Sequence, residues 1–336
     1  MKTLSCTSPG HFEMQSREKP VPREGYSILE IQRVGICGTD LHAFEGTQPY
    51  FSYPRILGHE LAAIIEQTDD TGFKTGDAVT IIPYFHCGNC IACRNGKTNC
   101  CVNLTVCGVH IDGGMTEYLQ VPTYSLLHAD GLSFDELALV EPLAIGAHAA
   151  RRAMLQKDEF VLVIGAGPIG LCVLEFCRIA GAKLIVIDVN KDRLNFCGNA
   201  LKAEHLIDGK SPDVMEQLSR ITGGDMPAAV FDATGNLAAI NKGFDYLAHG
   251  GRYVLVGLQK EFVSFSHPAF HKREATLMSS RNATRQDFDY VINCIKNKRI
   301  EPLDFITHRL TFGETLDRFE SLLNPANKVI KAMISF

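Results

Sequence analysis

Five cysteines stand within the fifteen residues CGNCIACRNGKTNCC, from Cys87 to Cys101. Thiols packed this densely either pair as disulfides or ligate a metal. The opening MKTLSCTSPGHFEM lacks the apolar core of a secretory signal, so a cytoplasmic setting is expected. In a reducing compartment the metal reading is favoured over the disulfide one. Upstream, Cys37 in GICGTDLH and His59 and Glu60 in GHE offer thiolate, imidazole and carboxylate, three donor types that zinc accepts. Each alone means little, because a lone cysteine is usually core and a lone histidine usually a satisfied surface residue. Together they differ: Cys37 lies in a glycine-bracketed turn and GHE precedes the apolar run LAAII, places where polar groups can converge.

A second constellation is Gly165-Ala166-Gly167-Pro168-Ile169-Gly170. GxGxxG is weak in isolation, but this one follows the apolar run FVLVI, opens a helical pattern, and precedes a second strand, KLIVID, that ends in Asp188. That is the context of a dinucleotide-binding turn. Gly165 permits the tight turn, Gly167 lets a pyrophosphate approach the backbone, and Gly170 lets the helix pack on the strand. The helix N-terminus adds amide donors and a favourable dipole. Asp188 is placed to bind ribose hydroxyls and to repel a 2′-phosphate, which favours NAD over NADP; Arg193 partly offsets that repulsion. Thr234, in DATG, and Val256, Gly257 and Leu258 follow later strand ends, on the crevice side of such a sheet.

These residues need elements to position them. At 336 residues the chain exceeds one comfortable core, so two domains are expected. Roughly the first 140 residues carry short β-branched runs between turn signals, SILEIQRVG, LAAIIEQT, AVTIIPY and MTEYLQVP, which predict a mostly β body. ELALVEPLAIGAHAARRAML is helix-forming. Six strands then alternate with helices, at FVLVIG, KLIVID, HLI, AAVFDAT, GRYVLVG and ATLMSS, and predict a doubly wound parallel sheet. A helix at DFDYVINCIKN and a closing strand, VIKAMISF, end the chain. The most apolar segment, FVLVIGAGPIGLCVLEFC, is broken by glycines, a proline and Glu175, so no membrane span is expected. A net charge of −5 without a basic run argues against a nucleic-acid partner. Cys172, Cys177 and Cys294 sit in apolar helical patterns and read as buried hydrophobes.

In their order and spacing, GICGTDLH, GHE, the cysteine loop, EPLAIGAHAARRA, GAGPIG, FDATG and GRYVLVGL resemble the zinc-dependent medium-chain dehydrogenases, in the branch of the sorbitol and threonine dehydrogenases. The resemblance covers essentially the whole chain. It implies an α/β fold: a Rossmann sheet that binds NAD over 143–283, plus a mostly β, GroES-like, zinc-binding catalytic domain formed by 1–142 and 284–336. It implies that Cys37 and His59 bind a catalytic zinc and that Glu60 is a ligand that can come and go. Glu141, in LVEP, stands where alcohol dehydrogenases proper carry a second cysteine, and in the polyol branch approaches the metal directly or through water. Cys87, Cys90, Cys93 and Cys101 match the family's structural zinc lobe, a closed four-thiolate site that staples a loop; Cys100 is left over. A nucleic-acid-binding zinc ribbon would instead need basic and aromatic neighbours, and the loop offers only Arg94 and Lys97. Thr39 and His42 match a proton relay, although a proton routed through water at Glu141 would leave His42 a structural turn residue. Asp40 is expected to orient groups near the zinc. Ala63 departs from the family's glycine, a change for packing and not for ligation. Homodimers or homotetramers are expected through the edge of the cofactor sheet, near GRYVLVGL and FVSFSHPAF, where FVSFS alternates like an edge strand.

QPYFSYPRILGHE, IPYFHCGNCIACRNGKTNCC, GVHIDGG and SSRNAT are similar to the L-galactonate-oxidising members of that branch. This similarity implies oxidation of a sugar acid's secondary hydroxyl, as in L-galactonate to its 5-keto acid. A sugar acid needs a cation for its carboxylate, and Arg281 with Asn282, just past the sixth strand, could supply the contacts; a structural contact is the alternative for Arg281. His110 is a second candidate, Tyr50 and Phe51 are expected to wall the substrate pocket, and Lys272 and Arg273 read as solvated charges. Sorbitol-, threonine- and galactitol-phosphate-type dehydrogenases are the alternatives within the branch. A zinc-free quinone reductase and a non-catalytic binding protein on the same fold are both disfavoured by the complete donor set.

Overall fold

Tyr26–Ile36, rich in β-branched and apolar residues and buried along most of its length, is the longest strand among the described residues, and the first sheet is built around it. The computed structural model describes residues 1–48 and 51–336. In the first sheet the order is Leu126–His128, Ala78–Ile81, Glu60–Gln67, Tyr26–Ile36, Lys331–Ser335 and Ile306–Thr311, and Tyr118–Pro122 also pairs with Tyr26–Ile36. Leu29, Ile31, Val34, Leu61, Ile65, Val79, Ile81 and Ile334 form its buried face. Gly35 pairs with Glu60, and Ile36 pairs with Ala332, so the end of the central strand meets both the GHE segment and the closing strand.

The chain divides into two compact units, one formed by Met1–Glu141 and Thr284–Phe336, the other by Pro142–Ala283. Inside the second, six parallel strands run in the order His205–Asp208, Lys183–Asp188, Phe160–Ile164, Ala229–Asp232, Arg252–Leu255 and Thr276–Ser279. The near-continuous apolar runs FVLVI and KLIVI suit strands covered on both faces. The strand order reverses beside Phe160–Ile164, the switch point at which such sheets hold ligands. The helix Pro168–Ile179 begins with proline at its first position, where no backbone donor is lost. Thr284 and Asp287 form a capping box that starts the helix Arg285–Lys296. Cys172, Cys177 and Cys294 are buried in helices.

Two expectations are corrected. FVSFS is not a strand: the Ser264 amide donates to the Asn241 side chain, Phe265 stacks on Phe244 at 4.5 Å, and Ser266 caps the helix His267–Lys272. The Ser264 amide is thereby taken by a side chain and not by a neighbouring strand, and the edge of the parallel sheet is Thr276–Ser279. Nor is Arg273 a solvated charge, since it donates to the carbonyls of Leu247 and Ala269 and is half-buried. Among the described residues no helix is long and apolar enough to cross a membrane.

Candidate functional site

Three short-range devices aim the donors of the first unit. Cys37, in extended conformation, is the N-cap of the helix Gly38–Glu45, and its amide donates to Asp40 Oδ2 at 2.9 Å. Gly58 has a left-handed φ of 94°, which turns the chain just before His59, and its amide donates to Asp40 Oδ1 at 3.2 Å. A side chain at Gly108 or Gly113 would collide with the Gly58 carbonyl, and one at Gly114 with Leu61, which explains the glycines of GVHIDGG. Asp40 thus ties the Cys37 turn to the GHE turn, with its Oδ1 also 3.8 Å from His59 Nδ1.

The ligand atoms of Cys37, His59 and Glu60 lie within 4.8 Å of one another. Burial disfavours a charged His59, but the Asp40 and Cys37 charges outweigh it and raise its pKa well above the usual imidazole range. Glu141 stands outside that trio yet shares its electrostatics. Burial raises its carboxyl pKa to about 7, opposed by His59 and reinforced by Glu60. Glu141 Oε1 accepts from the Tyr84 hydroxyl, whereas Oε2 is buried without a partner, as is His59 Nδ1. Thiolate, imidazole and carboxylate converging beside orphaned buried atoms fit a zinc ion.

The sulfur atoms of Cys87, Cys90, Cys93 and Cys101 also converge within 4.8 Å. Cys90–Cys93 and Cys87–Cys101 sulfurs are 3.5 Å apart, far beyond a disulfide bond, and the thiols are free. Amides of Cys87, Cys93 and Asn103 point at these sulfurs. Such donors favour thiolates, and at Cys90 they lower the pKa to about 6. Four sulfurs with no further donor make a closed set, also suited to zinc. Cys100 is exposed and takes no part.

In the second unit the glycine-rich turn is a cradle that side chains would fill. Gly165 has φ 97°, and a Cβ there would press on Thr234. A Cβ on Gly170 would lie 1.8 Å from the Gly165 carbonyl oxygen, and one on Gly257 would lie 2.3 Å from the Gly235 amide. Gly167 is open, with Arg193 Nη1 3.8 Å from where its Cβ would be. Asp188 Oδ2 accepts from the Ala166 amide at 2.6 Å and Oδ1 from Asn190 at 2.7 Å, so the carboxylate anchors the turn it faces. Asp232 does the same for Thr234 and Gly235. Val256 and Leu258 flank Gly257, and Leu258 is exposed. This crevice fits a dinucleotide.

The remaining candidates are scattered. Thr39 is half-buried in the first turn of its helix. His42, 63% exposed, faces Glu45 and Thr47, each at 3.3 Å. Phe51 packs edge-on against Tyr53, and Tyr50 lies outside the described residues. His110 Nδ1 accepts from the Val106 amide, closing its own turn. Arg281, exposed, and Asn282, with a left-handed φ of 51°, follow Thr276–Ser279 in the second unit. Sequence reasoning missed Tyr84 and Lys331, which bond Glu141 and Glu60. A single lysine inside the apolar closing strand was the one available signal.

Residues 23–131 match the alcohol dehydrogenase GroES-like domain, and residues 168–297 match the zinc-binding dehydrogenase domain. L-galactonate-5-dehydrogenase of Escherichia coli K12 is 42% identical, over 100% of this chain and 99% of that enzyme. A sorbitol dehydrogenase of Halalkalibacterium halodurans is 30% identical over 94% of each chain. The RspB alcohol dehydrogenase of E. coli CFT073, crystallised with cofactor NADH, superposes with a TM-score of 0.93, over 100% of this chain and 99% of its own, at 28% identity.

Proposed function

The chain belongs to the zinc-type medium-chain alcohol and polyol dehydrogenases, and from that premise we propose that it oxidises a secondary hydroxyl of a sugar acid with NAD, L-galactonate or a close hexonate being the substrate. One observation carries the reading: the convergence of half-buried Cys37 with buried His59 and Glu60 in a chain 42% identical throughout to an L-galactonate-5-dehydrogenase. Cys37 and His59 would hold the catalytic zinc with a carboxylate from Glu60 or Glu141, and Cys87, Cys90, Cys93 and Cys101 a structural one. When bound, the catalytic zinc supplies Lewis acidity that lowers the pKa of a substrate hydroxyl. NAD supplies the hydride acceptor.

The chain's own residues do the rest. Asp40, whose Oδ1 lies 3.8 Å from His59 Nδ1, would orient the imidazole electrostatically, as a carboxylate does for metal-binding histidines. Thr39 would receive the hydroxyl proton, and His42, exposed beside Glu45, would pass it to solvent. Gly165, Gly167 and Gly170, with Pro168 and Ile169, clear the path of the pyrophosphate to the helix N-terminus. Asp188 would bind the ribose hydroxyls, Arg193 beside Gly167 would face a phosphate, and Thr234, Val256, Gly257 and Leu258 would border the nicotinamide half. Arg281 and Asn282 of the second unit are proposed as contacts of the substrate carboxylate, and Tyr50, Phe51 and His110 as further substrate residues. In this reading 1–142 with 284–336 is the catalytic domain and 143–283 the NAD domain.

The test is a panel of L-galactonate, other hexonates, sorbitol, galactitol 1-phosphate and L-threonine, with NAD and with NADP, followed by reduced-cofactor absorbance. L-galactonate or a close hexonate with NAD should be much the best pair. Arg281→Ala should raise KM for the acid about 10–100-fold, the worth of charge-assisted hydrogen bonds, and hardly change it for sorbitol. A clear preference for threonine or an uncharged polyol would overturn the substrate, and equal use of NADP would overturn the reading of Asp188.

A further inference from the structure

Away from both donor clusters, two histidines share one face of a short helix in the second unit. His267 and His271 stand four residues apart in the helix His267–Lys272, with ring centroids 5.9 Å apart. Residues at i and i+4 lie one above the other on a helix, the spacing by which two imidazoles reach one metal ion. Both histidines are exposed, and among the described residues no hydrogen bond or ion pair engages either ring. The backbone beneath them is held in place. Ser266 caps the helix, Phe270 packs against Phe265 and Phe244 with centroids at 5.1 and 6.0 Å, and Arg273 donates to the Leu247 and Ala269 carbonyls. Two metal–nitrogen bonds of about 2.1 Å at a tetrahedral angle put ring centres about 5 Å apart, so these exposed rings need to close by only about 1 Å.

We propose that His267 and His271 form a further metal site, a two-imidazole chelate for a divalent transition ion such as nickel, copper or zinc. Imidazole nitrogen suits these ions, whereas magnesium and calcium take oxygen donors. Two protein ligands leave the remaining positions to water. The ion is therefore held more loosely than in a set of three or four protein donors, and it exchanges with the medium. Lys272, exposed beside the pair, opposes a bound cation, while Arg273 is turned away into its two carbonyls. None of the donors of the first unit takes part, so this site fills independently of the dehydrogenase chemistry.

The experiment dialyses the full-length, untagged protein free of loosely held metal, then equilibrates it with micromolar nickel chloride and reads bound nickel per chain by elemental analysis. Wild type should take up one nickel that the His267→Asn/His271→Asn double variant does not. Each single variant should bind it about 10–100-fold more weakly, because the second imidazole binds intramolecularly only once the first is engaged. His271→Lys combined with Lys272→His keeps composition and charge but moves the second ring to i+5, and it should lose nickel as a single variant does. His249→Asn, at another exposed histidine of the same unit, should change nothing. Both rings are exposed, so every variant should keep the circular dichroism and thermal unfolding of wild type. Equal uptake by wild type and the double variant, uptake only halved in each single variant, or uptake kept by the swapped variant would overturn the chelate.

Discussion

At the scale of single residues, glycines were readable from sequence and the lysine was not. Gly170 packs against the Gly165 carbonyl within the same turn, so the spacing of the motif announces it. Lys331 and Tyr84 acquire their roles only through strand register and tertiary packing: Lys331 meets Glu60 across 271 residues of sequence. Gly170→Ala tests the cofactor turn most sharply, since its methyl would stand 1.8 Å from a backbone oxygen. It should cost about 1–3 kcal/mol in thermal unfolding and abolish NADH binding in a fluorescence titration. Retention of tight NADH binding would show that this turn does not seat the cofactor. Asp188→Ala removes the acceptor of the Ala166 and Asn190 amides along with a negative charge. It should weaken NAD binding and raise the NADP-to-NAD ratio of kcat/KM; an unchanged ratio would count against a ribose role for Asp188.

At the scale of elements, the parallel sheet was legible because its central strands, FVLVI and KLIVI, are continuous apolar runs and the others alternate with helical patterns. FVSFS misled because alternation reports side-chain exposure and says nothing of whether the backbone donors are free. The loop from Cys87 to Cys101 shows the converse: little regular structure and a strong sequence signal. Its short helix Ile91–Arg94 has no buried residue, and Ile91 and Val102 are exposed. Such a loop has little apolar area of its own to hold it, so a metal bound by the four thiolates would contribute directly to its stability. Cys90→Ser should therefore lower Tm by at least about 2–4 °C, release one zinc, and make 87–101 the first segment cut in limited proteolysis. Unchanged Tm and proteolysis would mean that the cysteines do not staple the loop.

At the scale of the molecule, a change of texture near Leu137 separated the mostly β part from the alternating part, because each class of sheet imposes its own pattern on its strands. What the pattern could not supply was the closing strand's place beside Tyr26–Ile36, which forms one sheet from the two ends of the chain. Association follows from the sheet edge. Thr276–Ser279 is a terminal strand with exposed Leu277, and Leu258 and Phe262 are exposed in the same unit, Phe262 at 96%. An apolar edge with unpaired backbone groups suits pairing with a second copy. Light scattering at micromolar concentration should return a dimer or tetramer, and Leu277→Lys should shift it toward monomer; a wild-type monomer would remove the edge from the account.

The most direct test of the whole account is the zinc content of native protein beside that of Cys37→Ser, measured by elemental analysis. The two donor clusters predict close to two zinc ions per chain. Cys37→Ser should hold one, keep its fold by circular dichroism, and form no NADH from L-galactonate. One zinc in carefully handled native protein, or a Cys37→Ser variant that keeps both, would contradict it.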